Sequence, residues 1–293
     1  LSQIIIFLIS DSFGENGLIL FKAAIACLTA LILFKTSRLF GAKALAATVL
    51  LILAFLIGLD RWTVRPQIFS FLFLSLLQLL IYSVLAGKVR ALSLGLIPPL
   101  LLLWDTLHTG LFGYLLLGSV AVGESIKALL SAGHSLPSAF PATDKTRLAT
   151  LWGVLLLAAL LSLLSPYGLQ NYSNLFDILT SGQPVGMFPS ITEFQPTDLA
   201  RNKLFVVLIG IVLAACLAFY RKLDITLLVV TLPFLIMGLR FGRATALFAL
   251  ITVPLLSSMI PHVPQRARER SGKGVGECQV CRWLLLAAGT ALL

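Results

Sequence analysis

The sequence predicts an all-α integral membrane protein, a polytopic bundle of about nine to ten transmembrane helices forming a single transmembrane domain over residues 1–293. Composition is the first reason. Apolar residues make up 58% of the chain and charged residues 12%, and mean hydropathy is +1.00. A surface drawn from that pool must be solvated by lipid, which excludes a soluble fold. The second reason is pattern. Apolar runs of helical length recur between short polar turns and nowhere alternate as barrel strands would. Backbone groups in hydrocarbon need partners within their own segment, so these runs are helices.

In chain order the expected spans are 17–34, 44–59, 67–86, 91–104, 109–123, 149–165, 204–220, 225–239 and 244–260. A tenth apolar run begins at Trp283. Before the first span, Gln3 to Ile9 form an amphipathic piece that reads as the tail of an earlier element, so an internal fragment is expected. Pro98-Pro99 is expected to break the fourth span near its middle. Residues 124–147, rich in Ser, Pro and Ala, are the most linker-like stretch.

Short cytoplasmic loops hold the excess of Lys and Arg. One set of alternate loops carries fifteen of the 22 basic residues, from Lys35, Arg38 and Lys43 to the basic loop 261–282, and is read as cytoplasmic. The opposite set carries six: Arg61, Arg65, Arg201, Lys203, Arg240 and Arg243. The net charge of +10 is thereby an orientation signal and a contact with anionic headgroups, with no motif pointing to nucleic acid. Cys27 and Cys216 fall inside spans, where a thiol behaves as a small apolar group. Cys278 and Cys281 make one C-x-x-C, half a zinc site at most.

Unusual polar residues collect on the outward side, and the inward loops look ordinary. The first outward turn holds Asp60, Arg61, Trp62 and Arg65, and Pro66 keeps Arg65 extended. The second runs from Trp104 through Asp105 and His108 to Gly110, between spans that look too short to cross the hydrocarbon. Asp105 and His108 are therefore expected below the membrane surface, where ionisable groups are costly and face cavities. The third, the non-cytoplasmic loop 166–202, contains Tyr167, Asn171, Tyr172 and Glu193. The fourth is Arg240-Phe241-Gly242-Arg243. Arginines placed against the charge bias suit phosphate, whose oxygens match the guanidinium fork. Taken singly, each has a plainer reading: Arg61, Arg240 and Arg243 as headgroup anchors, Asp60 as a cap or partner of Arg61, Trp62 and Trp104 as interfacial belt residues, Glu193 as a solvated charge.

Together they suit transfer of a group from a lipid-linked phosphate donor. His108, Asp105, Glu193 and Asp60 are the catalytic candidates, and Arg65, Arg240, Arg243 and Arg61 the donor-binding ones. A transporter or flippase of a lipid-linked or anionic substrate is the alternative, since short, Pro-interrupted spans also mark substrate paths. Polar residues gathered at one mouth speak for the transferase.

Arg65-Pro66-Gln67-Ile68-Phe69-Ser70, then Trp104-x-x-x-His108-x-Gly110, then Ser165-Pro166-Tyr167-Gly168 and Glu193-Phe194 resemble bacterial polytopic proteins of the GT-C glycosyltransferase superfamily. That resemblance covers most of residues 1–260. It implies a multi-pass enzyme of the plasma (inner) membrane that moves a sugar from a polyprenyl-phosphate donor to an acceptor on the extracytoplasmic face. It also implies a catalytic carboxylate in a first outward loop that would precede Leu1, and in some members a divalent metal. In the family the second motif reads Trp-x-Asn-x-His-Gly-Gly, whereas here Thr106 and Thr109 stand at the Asn and first Gly places.

Overall fold

The computed structural model describes residues 1–130, 140, 144–166, 168–170, 173 and 195–260, and in these the chain is helical with no strand. The helices are α1 (Ser2–Leu39), α2 (Ala44–Ile57), α3 (Gln67–Leu85), α4 (Ile97–Leu107), α5 (Leu111–Leu130), α6 (Lys145–Ser162), α7 (Lys203–Ala218), α8 (Ile225–Arg240) and α9 (Thr245–Met259). Five are long and apolar enough to cross a membrane: α1, α3, α5, α6, and α9 with the short turn before it. The other apolar helices span 10–17 residues. Glu193, Tyr167, Asn171, Tyr172, the C-x-x-C, the loop 261–282 and the run from Trp283 lie outside the described residues.

Helix ends follow local chemistry. Asp144 caps α6 by accepting the Arg147 N–H at 2.7 Å, and Asp224 caps α8 through the N–H groups of Thr226 and Leu227. α1 fuses the amphipathic piece to the first span across a kink at Gly14, whose φ of 60° favours a residue without Cβ. Pro98 and Pro99 do not interrupt a span. They occupy the first turn of α4, after a 3₁₀ segment Ala91–Leu96, where no intrahelical N–H is needed.

The shortness expected around the second outward turn is corrected on the α5 side only. α5 continues to Leu130, so its 20 residues reach about 30 Å. With its 3₁₀ lead-in, the α4 segment covers 17 residues from Ala91 to Leu107. The turn at His108 therefore joins a full-length α5 to an α4 segment that stays among the shorter apolar helices.

Packing separates central from peripheral helices. In the most apolar 18-residue window, 83% of the residues are buried for α9 and its preceding turn and 72% for α3, against 22% for α1 and for α6. α3 and α9 thus form the middle of the bundle, and the outward faces of α1 and α6 are the lipid-facing ones. Small residues permit the closest approaches, as van der Waals contact between membrane helices demands. A Cβ on Gly123 of α5 would lie 2.7 Å from the Thr226 Cα of α8, and one on Gly238 of α8 would lie 3.0 Å from the Phe205 ring of α7.

The two ends of the bundle are termed outer and inner after the charge bias. Turns 58–66, 108–110 and 241–244 share the outer end, and segments 40–43, 86–90 and 219–224 the inner.

Candidate functional site

The outer-end site is built around Ser70, in the first turns of α3. Its hydroxyl accepts the Trp104 indole N–H at 2.9 Å and lies 2.7 Å from His108 Nδ1. The Ser70 hydroxyl, with one hydrogen and two lone pairs, thereby joins the indole N–H and the imidazole Nδ1 and holds the ring in place. His108 stands in the turn after α4, in extended backbone with φ −158° that ends the helix. Burial, and then the Arg243 guanidinium facing it, push its pKa down to about 4. Near neutral pH the ring is uncharged.

Trp104 is wholly buried and stacks on Phe73, with ring centroids 5.8 Å apart. Trp62 lies against Phe55 and Phe71 at 4.6 and 4.7 Å. Trp104 is thereby a packing residue, which corrects the expectation of an interfacial belt for it; Trp62, partly exposed, packs its ring at the outer end as well. Their rings fix where the first and second outward turns sit.

Asp105 is engaged by groups other than His108. One oxygen accepts the Gly110 N–H and the other the Tyr114 hydroxyl, each at 2.8 Å, and the residue is 1% exposed. Its carboxylate closes the turn that carries His108. A side chain on Gly110 would collide with it, since a Cβ there would stand 2.6 Å from Asp105 Oδ1.

Arginines enter from two other turns. Arg61 is half-buried, with Nε 3.5 Å from the exposed Asp60 carboxylate, and its Nη2 would stand 3.6 Å from a Cβ on Gly242. The first and fourth turns therefore meet, and Gly242 leaves room for the guanidinium. The Gly242 N–H donates to the Gln195 carbonyl at 3.1 Å, and the Thr197 N–H to the Leu239 carbonyl at 3.1 Å. The third outward segment is thus tied to the fourth turn just beyond Glu193. Gln67 Nε2 donates to the Arg61 carbonyl at 3.1 Å, securing the first turn to α3.

Arg65 and Arg240 are exposed at the rim. Of the residues singled out from sequence, His108, Arg243 and Arg61 come together at one end with Asp60 at the edge. Asp105 supports the turn, and Arg240 and Arg65 point outward. Ser70, Tyr114 and Thr197 were not singled out. Ser70 closes the first of the short motifs, and a hydroxyl in an otherwise apolar turn of α3 was its available signal. Among the described residues, no three His, Cys, Asp or Glu side chains gather in a way that could hold a metal ion.

The inner end holds a second polar assembly. Lys127 Nζ lies 2.7 Å from Glu124 Oε1 and 3.8 Å from Asp224 Oδ2, and these three side chains are at most 5% exposed. The Thr226 hydroxyl donates to the same Glu124 oxygen at 2.5 Å. Lys127 also stands 5.4 Å from the centroid of Phe140, which stacks on Tyr82. The inward side is thus not ordinary. Lys127, counted with the cytoplasmic loop, belongs to α5 and joins it to α8.

No protein-family model matches this chain, and no curated protein and no solved structure matches it either.

Proposed function

We propose that the protein is a multi-pass membrane transferase of the GT-C kind, with nine to ten spans. It moves a sugar from a polyprenyl-phosphate donor to an acceptor at its outer face in the plasma (inner) membrane. One observation carries this reading: four separate outward turns converge, setting Arg61, Arg243 and the imidazole of His108 at one end of the bundle. Two permanent cations beside a neutral imidazole suit a phosphate whose charge grows as it departs. In the step, the bond from the sugar's anomeric carbon to the phosphate oxygen breaks and a bond to the acceptor oxygen forms. The acceptor's proton goes to a carboxylate, for which Asp60 and Glu193 are this chain's candidates. The phosphate keeps the electron pair and its lipid tail stays in the bilayer. His108, with Nδ1 engaged by Ser70, serves the leaving phosphate and does not take the acceptor's proton.

Binding of a polyprenyl-phosphate analogue to the protein in nanodiscs tests this. Arg243→Ala or Arg61→Ala should weaken it roughly ten- to a hundredfold, the equivalent of about 1.5–3 kcal/mol for a charge-assisted contact. Arg243→Lys should recover part of the loss, because an ammonium lacks the fork. Unchanged binding in both alanine variants would make these arginines headgroup anchors. The transporter or flippase reading gains one specific support, the buried charges at the inner end. Substrate movement across sealed proteoliposomes, abolished by Lys127→Met, would favour it over transfer.

A further inference from the structure

Helix α8 ends where the fourth outward turn begins, and the last carbonyls of a helix have no partner within it. The Met237 carbonyl takes the Phe241 N–H at 2.9 Å. The next two go to one residue of the third outward segment. Thr197 donates its hydroxyl to the Gly238 carbonyl and its N–H to the Leu239 carbonyl, and the Gly242 N–H donates in return to the Gln195 carbonyl. Thr197 and Gly238 are both buried, so water does not readily replace the hydroxyl. Beyond Thr197 the chain is held again. The Asp198 carboxylate accepts the N–H groups of Ala200 and Arg201 at 2.9 and 3.2 Å just ahead of α7, whose Phe205 ring lies against Gly238. The Thr245 hydroxyl of α9 donates to the Gly242 carbonyl at 2.9 Å. The turn 241–244 is therefore fastened to α9 on one side and to 195–197 on the other, and it carries Gly242 beside Arg61 and Arg243 facing His108.

We propose that Thr197 is a positioning residue of the outer-end site: by capping α8 from the third outward segment, it holds the fourth turn so that Arg243 stands against His108 and within reach of a donor phosphate. The ligand in this statement rests on the transferase reading, whereas the cap and the Arg243–His108 geometry do not. Threonine suits the task because one residue supplies two donors to adjacent carbonyls, the backbone N–H and the hydroxyl one bond beyond Cβ. Valine would keep the shape and leave the buried Gly238 carbonyl without its partner. Serine would keep both donors and lose only a methyl group.

Two readouts on the full chain in nanodiscs test it: the affinity for a polyprenyl-phosphate analogue and the His108 pKa from nitrogen shifts of the labelled ring. Thr197→Val should weaken analogue binding about fivefold, the weight of one hydrogen bond. It should also raise the His108 pKa from about 4, as Arg243 retreats from the ring. Thr197→Ser should match the parent in both. Thr197→Ala makes the same comparison if Thr197→Val does not fold, since its smaller side chain cannot crowd the Gly238 carbonyl. A merely structural cap would lower thermal stability and leave the His108 pKa of the folded protein where it was, and that result overturns the proposal. So does an unmoved His108 pKa in Arg243→Ala, since Arg243 then does not face the ring. If Arg243→Ala instead raises the pKa but binds the analogue as tightly as the parent, the donor reading fails, and the His108 pKa in Thr197→Val still decides the role of Thr197.

Discussion

Two polar clusters, one at each end of the bundle, treat charge in opposite ways. At the outer end, Asp60, Arg65 and Arg240 are exposed and Arg61 and Arg243 only partly covered, with a neutral His108 beneath them. At the inner end, Glu124, Lys127 and Asp224 are buried and pair with one another. Partly exposed cations stay within reach of solvent, and the proposed function uses them for ligand recognition. Buried charges that pair with one another hold α5 to α8 in one geometry.

The largest expected effect tests the inner end. Lys127→Ala leaves two buried carboxylates without their shared cation and should cost about 3–5 kcal/mol. Thermal unfolding in detergent or nanodiscs measures it, and a loss below about 1 kcal/mol would show that the cluster is solvated and the contrast mistaken. Gly123→Ala comes next. Its new Cβ meets the Thr226 backbone, which cannot rotate away as a side chain would, so about 1–3 kcal/mol should be lost. The same change at Gly153, with nothing within 4 Å, should be neutral or slightly stabilising.

At the outer end the expected changes in stability are smaller and the functional readouts sharper. Ser70→Ala removes two hydrogen bonds and leaves the buried Trp104 N–H without its acceptor, so it should cost about 1–3 kcal/mol. It also releases the imidazole from its hold, so donor-analogue binding should fall even where the protein remains folded. Nitrogen chemical shifts of labelled His108 should show a neutral ring down to about pH 4. In the unfolded chain the ring takes up its proton near pH 6.5. The folded state refuses that proton, so stability should fall as pH drops from about 6.5 toward 4. Arg243→Ala should raise the His108 pKa, and an unmoved value would mean that the guanidinium does not face the ring. Smallest of all, separating the exposed Arg201–Asp198 pair with Arg201→Ala should change stability by about 0–1 kcal/mol.

Which features were legible in the sequence follows from how each residue signals. Arg61, Arg240 and Arg243 stood out because they oppose a charge bias counted over loops, a one-dimensional property. Lys127 did not, because it agrees with that bias, and only its place on α5 opposite Asp224 reveals a buried ion pair between residues 97 positions apart. The different partners of Asp105 and His108 are equally hidden. Three residues apart along the chain, they serve different ends because α4 stops between them, Asp105 closing its own turn and His108 bonding Ser70.

By itself the sequence determined the helical class and the membrane setting, since burying backbone polar groups in lipid leaves an apolar run no option but a helix. It also determined which turns carry charge against the topological trend. The tertiary structure alone decided which of these charges meet and which groups stay wet, because both depend on side chains brought together from different helices. Glycine contacts such as Gly123 on Thr226 and Gly242 under Arg61 set those distances, and close packing between helices is not written in the hydropathy of either one.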